Sequence, residues 1–214
     1  MGRVIPWLLL ILITAPPAWA QSSKHLSLGA GLNFHKYADS DFSSKNPSIS
    51  LEYRIALNHS GVDGWSWGPK SSISLGKVDT KTDIGGIETH LGRLRTIPIL
   101  VGIERAYRQG PLRIGASVVA GPSFNHFDVD AAARSAYLTR LGRNLGAVTV
   151  KTSVAIKPGV SAWYDLGDWA ALHASLSYVV NRPKAEMTVD GVTTSSTWKT
   201  DHASFVLGFV VGVF

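Results

Sequence analysis

The sequence predicts an all-β chain: an eight-stranded antiparallel transmembrane β-barrel with one short helix in its third extracellular loop. Three observations predict it. The chain opens with a secretory signal, it carries eight runs of period-two alternation, and its last run, His202 to Phe214, ends on a phenylalanine. A spanning strand has no water to satisfy a free edge, so strands cross a bilayer only as a closed barrel.

The N-terminus has the three parts of an export signal. Arg3 supplies a positive start, Val4 to Thr14 is almost wholly apolar, and Ala18-Trp19-Ala20 follows the break at Pro16-Pro17. The apolar run is short for a helical span of about 20 residues. The expected division is 1–20 signal peptide and 21–214 barrel, with cleavage near Ala20. No cysteine occurs, so a lipoprotein anchor, disulfides and thiol chemistry are excluded. The composition is 45% hydrophobic and only 17% charged. A soluble secreted protein shares such values, so the placement of the apolar residues decides. The net charge of +6 comes without any basic run or RNA-binding motif. Lipid phosphate is therefore a better match for it than nucleic acid.

Each of the first seven strands shows one apolar face and a second face of mostly small or polar residues. In the first, Leu26, Leu28, Ala30, Leu32 and Phe34 oppose Ser27, Gly29, Gly31 and Asn33. In the second, Ile49, Leu51, Tyr53 and Ile55 oppose Ser48, Ser50, Glu52 and Arg54. The third sets Trp65, Trp67, Ile73 and Leu75 against Ser66, Lys70, Ser72 and Ser74. The fourth, near Thr96 to Tyr107, sets Ile97, Ile99, Val101 and Ile103 against Leu100, Gly102 and Glu104. The fifth opposes Leu112, Ile114 and Val118 to Arg113, Gly115 and Ser117, and the sixth Ile156, Val160 and Tyr164 to Lys157, Ser161 and Trp163. The seventh opposes Leu172, Leu176 and Tyr178 to His173, Ser175 and Ser177. The eighth is apolar on both faces, and a bulge is one way its register shifts.

The connections alternate in length. Residues 58–64, 108–111 and 165–168 are turn-like, whereas 35–46, 77–95, 122–153 and 181–201 are long and polar. That alternation fits periplasmic turns and extracellular loops. Aromatic residues gather at the two ends: Trp65, Trp67, Tyr107, Tyr164 and Trp169 toward the turns, and Phe34, Tyr37, Phe124 and Tyr178 toward the loops. Amphipathic rings favour the two membrane interfaces.

The chain resembles the small bacterial outer-membrane β-barrel group that includes the transmembrane barrel of OmpA, the OmpW-like proteins and the opacity-type surface proteins. The resemblance is carried by Ala18-Trp19-Ala20, by Ala116 to Phe124 (ASVVAGPSF), by Lys157 to Leu166 (KPGVSAWYDL) and by Phe214. It implies a bacterial outer-membrane location and insertion by the barrel-assembly machinery, with Phe214 as the assembly signal. Members serve as anchors, adhesins, small-solute conduits and lipid-modifying enzymes. Deleting Phe214 is expected to impair assembly, read as loss of the heat-modifiable gel form. Normal insertion of the shortened chain would refute that role.

The inward faces hold Glu52, Arg54, Lys70, Glu104, Arg113, Lys157 and His173. Unpaired charges in a narrow interior are costly, so they are expected to pair. Distance from the turns suggests Glu52 with Lys70 and Glu104 with Arg113. Eight strands leave an interior that side chains just fill. The expected role is structural or interactive at the cell surface, with a plugged lumen. The alternatives are a narrow channel for small or apolar solutes, lined by Arg54, Lys157 and His173, and a lipid A-modifying enzyme.

The third long loop carries the helix. Asp128 or Asp130 caps it, Ala131 to Ala133 begin it, Tyr137, Leu138, Leu141 and Leu145 form a stripe, Gly142 weakens it and Gly146 ends it. It reads either as a lid on the barrel mouth or as an interfacial helix whose Arg134, Arg140 and Arg143 meet lipopolysaccharide phosphates. In the fourth loop, Asp190-Gly191 marks a tight turn, so the last two strands are expected to continue outward as a ribbon. No catalytic residue is assigned. Ser123, Asn125 and His126 lie near one another at the outer rim, but the His-x-Ser-Asn pattern of a deacylase is absent. Asp39-x-Asp41 and Asp128-x-Asp130 lack the rest of a calcium loop. No cofactor and no metal is expected, and the chain should act as a monomer among outer-membrane lipids.

Overall fold

The computed structural model describes residues 25–44, 46–56, 64–167 and 169–212. Phe214 and the signal segment lie outside them. Twelve strands and one helix occupy the described residues. The barrel strands are β1 (His25–Tyr37), β3 (Ser48–Ala56), β4 (Gly64–Asp83), β5 (Glu88–Gln109), β6 (Leu112–Val129), β8 (Ser153–Asp165), β9 (Ala170–Asn181) and β12 (His202–Gly212). Each pairs antiparallel with its neighbours in chain order, and β1 pairs with β12 from Ser27↔Gly212 to Tyr37↔His202, closing the ring. Outside it lie β2 (Phe42–Ser43), α1 (Ala131–Leu141), β7 (Leu145–Val150), β10 (Lys184–Val189) and β11 (Val192–Thr197).

The barrel is inside out. Val101, Ile103 and Phe209 on the outer wall are 63–65% exposed, whereas Arg54 and Glu104 inside are 1% exposed. In water that arrangement would waste apolar area worth about 25 cal/mol per Å². Against lipid it costs nothing. The two-sided eighth run resolves with Phe205, Leu207, Phe209 and Val211 outward and Ser204, Val206 and Val210 inward. Its pairing with both neighbours is regular, so the expected bulge does not arise.

The β1–β12 seam depends on glycine. Gly31 faces Gly208. A Cβ on Gly208 would stand 2.2 Å from the Ala30 carbonyl oxygen, and one on Gly31 2.6 Å from that of Leu207.

Much of what reads as loop is strand. β4 and β5 run on as a hairpin to Asp83 and Glu88, and β6 reaches Val129. Backbone groups that leave the bilayer still need partners, and ladder pairing supplies them even where the side chains are polar. Asp190-Gly191 does turn a hairpin, with Asp190 at φ 50° and Gly191 at φ 79°. That hairpin does not extend β9 and β12, however. β10 pairs with β7 instead, giving a separate three-stranded sheet.

The sheet and helix cover an apolar core of Phe42, Val78, Leu91, Leu94, Phe127 and Leu145 at the loop end of the barrel. Trp198 lies between Phe42 and Phe127, with ring centroids 5.7 and 5.2 Å away. Tyr37 belongs here rather than to the outer girdle: it packs on Phe42 and His202. The other aromatic residues of the two girdles face outward, from 41% for Tyr107 to 70% for Trp169.

Helix α1 is capped by Asp130, whose side chain accepts from the Ala132 amide at 3.3 Å. That bond and the neighbouring His90 hold the Asp130 carboxyl below its usual range. Gly142, at φ 61°, ends the helix, because its left-handed conformation lets its own N–H donate to the Leu138 carbonyl and the Arg143 N–H donate to the Tyr137 carbonyl. Gly146 therefore has no capping role. Leu145 leaves the expected stripe and is buried in β7, and the helix docks through Ala133 and Ala136.

Candidate functional site: a cross-braced lumen

Alternation aims one residue in two at the barrel axis, and register sets the height at which each one arrives. Six of the seven expected lumen residues meet in one network. Arg54 Nε lies 2.6 Å from Glu104 Oε1, and Lys70 Nζ lies 3.0 Å from Glu104 Oε2 and 3.1 Å from Glu52 Oε2. Lys157 Nζ is 3.3 Å from Glu52 Oε1 and donates to Ser72 Oγ at 3.2 Å. His173 Nε2 stands 3.6 Å from Glu52. Arg54 Nη2 donates to Ser66 Oγ at 3.0 Å, and Ser161 Oγ donates to Glu104 at 3.4 Å. The charges thus form a chain: Arg54, Glu104, Lys70, Glu52, Lys157.

The expected Glu52–Lys70 contact is present. The expected Glu104–Arg113 pair is not, and register explains why. The β5–β6 turn places Glu104 opposite Ser117 and Arg113 opposite Arg108, so the two side chains arrive at different heights. Glu104 turns to Arg54 and Lys70. Arg113 stacks over the Trp163 ring at 5.5 Å, with Arg54 over the same ring at 5.6 Å. Nothing in the sequence sets Trp163 apart from the other inward residues of its strand. Its ring also meets His173 edge-on at 5.1 Å and shares a buried cluster with Ala171 and Val210.

Position in the ring gives one contact special weight. Counting round the barrel from β1, β3 is second and β8 is sixth, so they stand on opposite walls. The Lys157–Glu52 bridge therefore crosses the lumen. Above it Leu100, Val119, Ala155 and Val179 form an apolar collar, and below it lies Trp163. The lumen cavity beside Lys157 and Ser175 has about 10 Å³, and the one beneath His35 and His202 about 20 Å³. Each is the size of roughly one water.

The rim residues divide: Ser123 Oγ donates to Asn125 Oδ1 at 3.3 Å, and His126 stands apart. Ser123 is buried and points inward, where Asn181 donates to it, while His126 points outward and pairs with Asp128 at 3.2 Å. Odd and even positions of one strand face opposite ways, so their nearness in sequence does not become nearness in space. Asp39 accepts from the Asp41 amide in a local turn, and Asp130 caps α1. Arg140 Nη1 donates to Thr89 Oγ1 at 3.1 Å and the Ile84 carbonyl at 3.4 Å, bracing α1 on the β4–β5 hairpin. Arg134 and Arg143 are exposed.

A closed ring with an apolar exterior and a polar, packed interior defines a small membrane-spanning β-barrel. Comparison with known proteins agrees at the level of fold. The chain is similar to the outer membrane protein OprG from Pseudomonas aeruginosa, with a TM-score of 0.69 at 12% identity over 89% of this chain and 96% of that one. It is also similar to E. coli outer membrane protein W, with a TM-score of 0.53 at 14% identity over 90% and 98%. A major outer membrane protein from Thermus thermophilus gives 0.51 at 13% identity over 89% and 99%. No family model and no curated protein matches the sequence. The fold is that of the small eight-stranded outer-membrane β-barrels.

Proposed function

We propose that the protein is an integral outer-membrane barrel with a structural or cell-surface interaction role and a closed lumen. The Lys157–Glu52 bridge between opposite walls carries this reading. A solute passing down the axis would have to part that bridge and strip both charges of their partners, at a cost of several kcal/mol. The Trp198, Phe42 and Phe127 cluster is a second barrier on the outer side. The surface role falls to the ordered module of α1, β7, β10 and β11. Its strand β11 is exposed along its whole length.

Planar-bilayer recording tests the closed lumen. Purified protein should show no sustained conductance. Replacing Glu52 and Lys157 together with Ala, which removes the cross-strut and shortens both side chains, should produce brief openings. Steady, ion-selective channels from the unaltered protein would favour the narrow-channel reading and overturn this one. Lipid A mass analysis of cells with and without the protein tests the lipid-modifying alternative, and an altered lipid A would establish it.

A further inference from the structure

The outer wall ends in an uneven way. On β4, β5 and β6 the last exposed apolar residues are Leu75, Ile97 and Phe124. One outward step higher stand Lys77, Arg95 and His126. Register makes them one row: Lys77 pairs with Arg95, and Arg95 pairs with His126. Arg95 and His126 side chains are 56% and 72% exposed, and Lys77 is exposed as well. The next outward row reads Asp79, Arg93, Asp128. There Arg93 bonds Asp79 at 3.2 Å, and Arg95 reaches up to Asp128 at 2.9 Å. Lys77 makes no ion pair among the described residues.

The rest of the circumference differs. The corresponding steps above Ile49, Val154, Tyr178 and Phe205 are Pro47, Thr152, Val180 and Ala203, none of them charged. Only Lys36, above Phe34, is basic, and β3 separates it from the row. A belt serving general contact with headgroups would be spread evenly. This one covers three adjacent strands.

We propose that Lys77, Arg95 and His126 form a binding site for the phosphates of a bis-phosphorylated glycolipid in the outer leaflet. Acyl chains would lie along Leu75, Ile97 and Phe124, so the phosphates arrive at the first polar row. Adjacent strands are about 4.8 Å apart, so the row is about 10 Å wide. That is wider than one phosphate and suits two on one headgroup. Arginine gives a two-pronged contact and lysine a point charge. Asp79 and Asp128 sit one row higher; Asp79 holds Arg93, and Asp128 holds both Arg95 and His126. The proposal rests on the reading that this wall lies in the outer membrane.

Native mass spectrometry of the purified full chain with bis-phosphorylated lipid A, mono-phosphorylated lipid A and phosphatidylglycerol tests it. The bis-phosphorylated form should bind about tenfold more tightly than the mono-phosphorylated form. The K77Q/R95Q/H126Q variant should lose about 30-fold in affinity for it, as the loss of two cations beside an anionic surface implies. K36Q should bind like wild type. Should the triple variant fail to fold, K77Q alone should lose about fivefold, since it breaks no ion pair. Unchanged affinity in a folded variant would overturn the site, and so would equal competition by phosphatidylglycerol or inorganic phosphate. A conducting wild type would sink the closed-lumen reading and leave this site standing. Unchanged lipid A binding in the variant would do the reverse.

Discussion

Glu104→Gln should destabilise the barrel by about 3–5 kcal/mol, the usual cost of removing one member of a buried charge pair. Glu104 is 1% exposed and serves Arg54 at 2.6 Å and Lys70 at 3.0 Å. Glutamine keeps the shape but removes the charge, so two cations lose a counterion at once. Lys70 retains Glu52, whereas among the described residues the Arg54 head keeps only Ser66 and the Trp163 ring. The double variant R54M/E104Q should therefore be milder than E104Q alone, because it also removes the stranded charge. Urea unfolding in lipid vesicles, followed by tryptophan fluorescence, measures both. A double variant as damaged as the sum of the two single ones would show that the pair is not coupled.

Gly208→Val should prevent normal closure of the ring. The Cβ alone would stand 2.2 Å from the Ala30 carbonyl oxygen and 2.6 Å from the Gly31 Cα. Both are backbone atoms, so strand β1 has to move. Overpacking in cores costs about 1–3 kcal/mol where side chains can shift, and here they cannot, so at least the upper figure is expected. That lowers the folded-to-unfolded ratio roughly a hundredfold. Gly167→Ala is the control, since nothing lies within 4 Å of its added Cβ. Heat-modifiable gel mobility reports the outcome, and a fully folded G208V protein would refute the close-approach argument.

Seven of the barrel strands were legible because each buries one face and exposes the other, and alternation records that directly. Leu172 and His173 point opposite ways for no reason beyond period two. The eighth strand was ambiguous because Val206 and Val210 are as apolar as Phe205 and Phe209. Only pairing with β1 and β9 chooses the inward set. The lumen residues were legible as charged positions on small-residue faces. Their partners were harder. Glu52–Lys70 could be read from one hairpin, but Arg54–Glu104 joins strands two apart in the ring, and Lys157–Glu52 joins opposite walls.

By itself, then, the sequence determined an eight-stranded barrel with an apolar wall, a charged interior and a capped helix in its third loop. Those features are local: they depend on period, turn residues and caps, all within a few positions of one another. The tertiary structure alone decided which charges meet, that the interior is braced across its width, that the β10–β11 hairpin joins β7 rather than extending β9 and β12, and that Lys77, Arg95 and His126 stand in one row. Each of those depends on shear and register between strands, in neighbouring hairpins as well as across the ring. A single-residue slip turns a face over, and the four-residue offset between Glu104 and Arg113 is enough to exchange one ion pair for another.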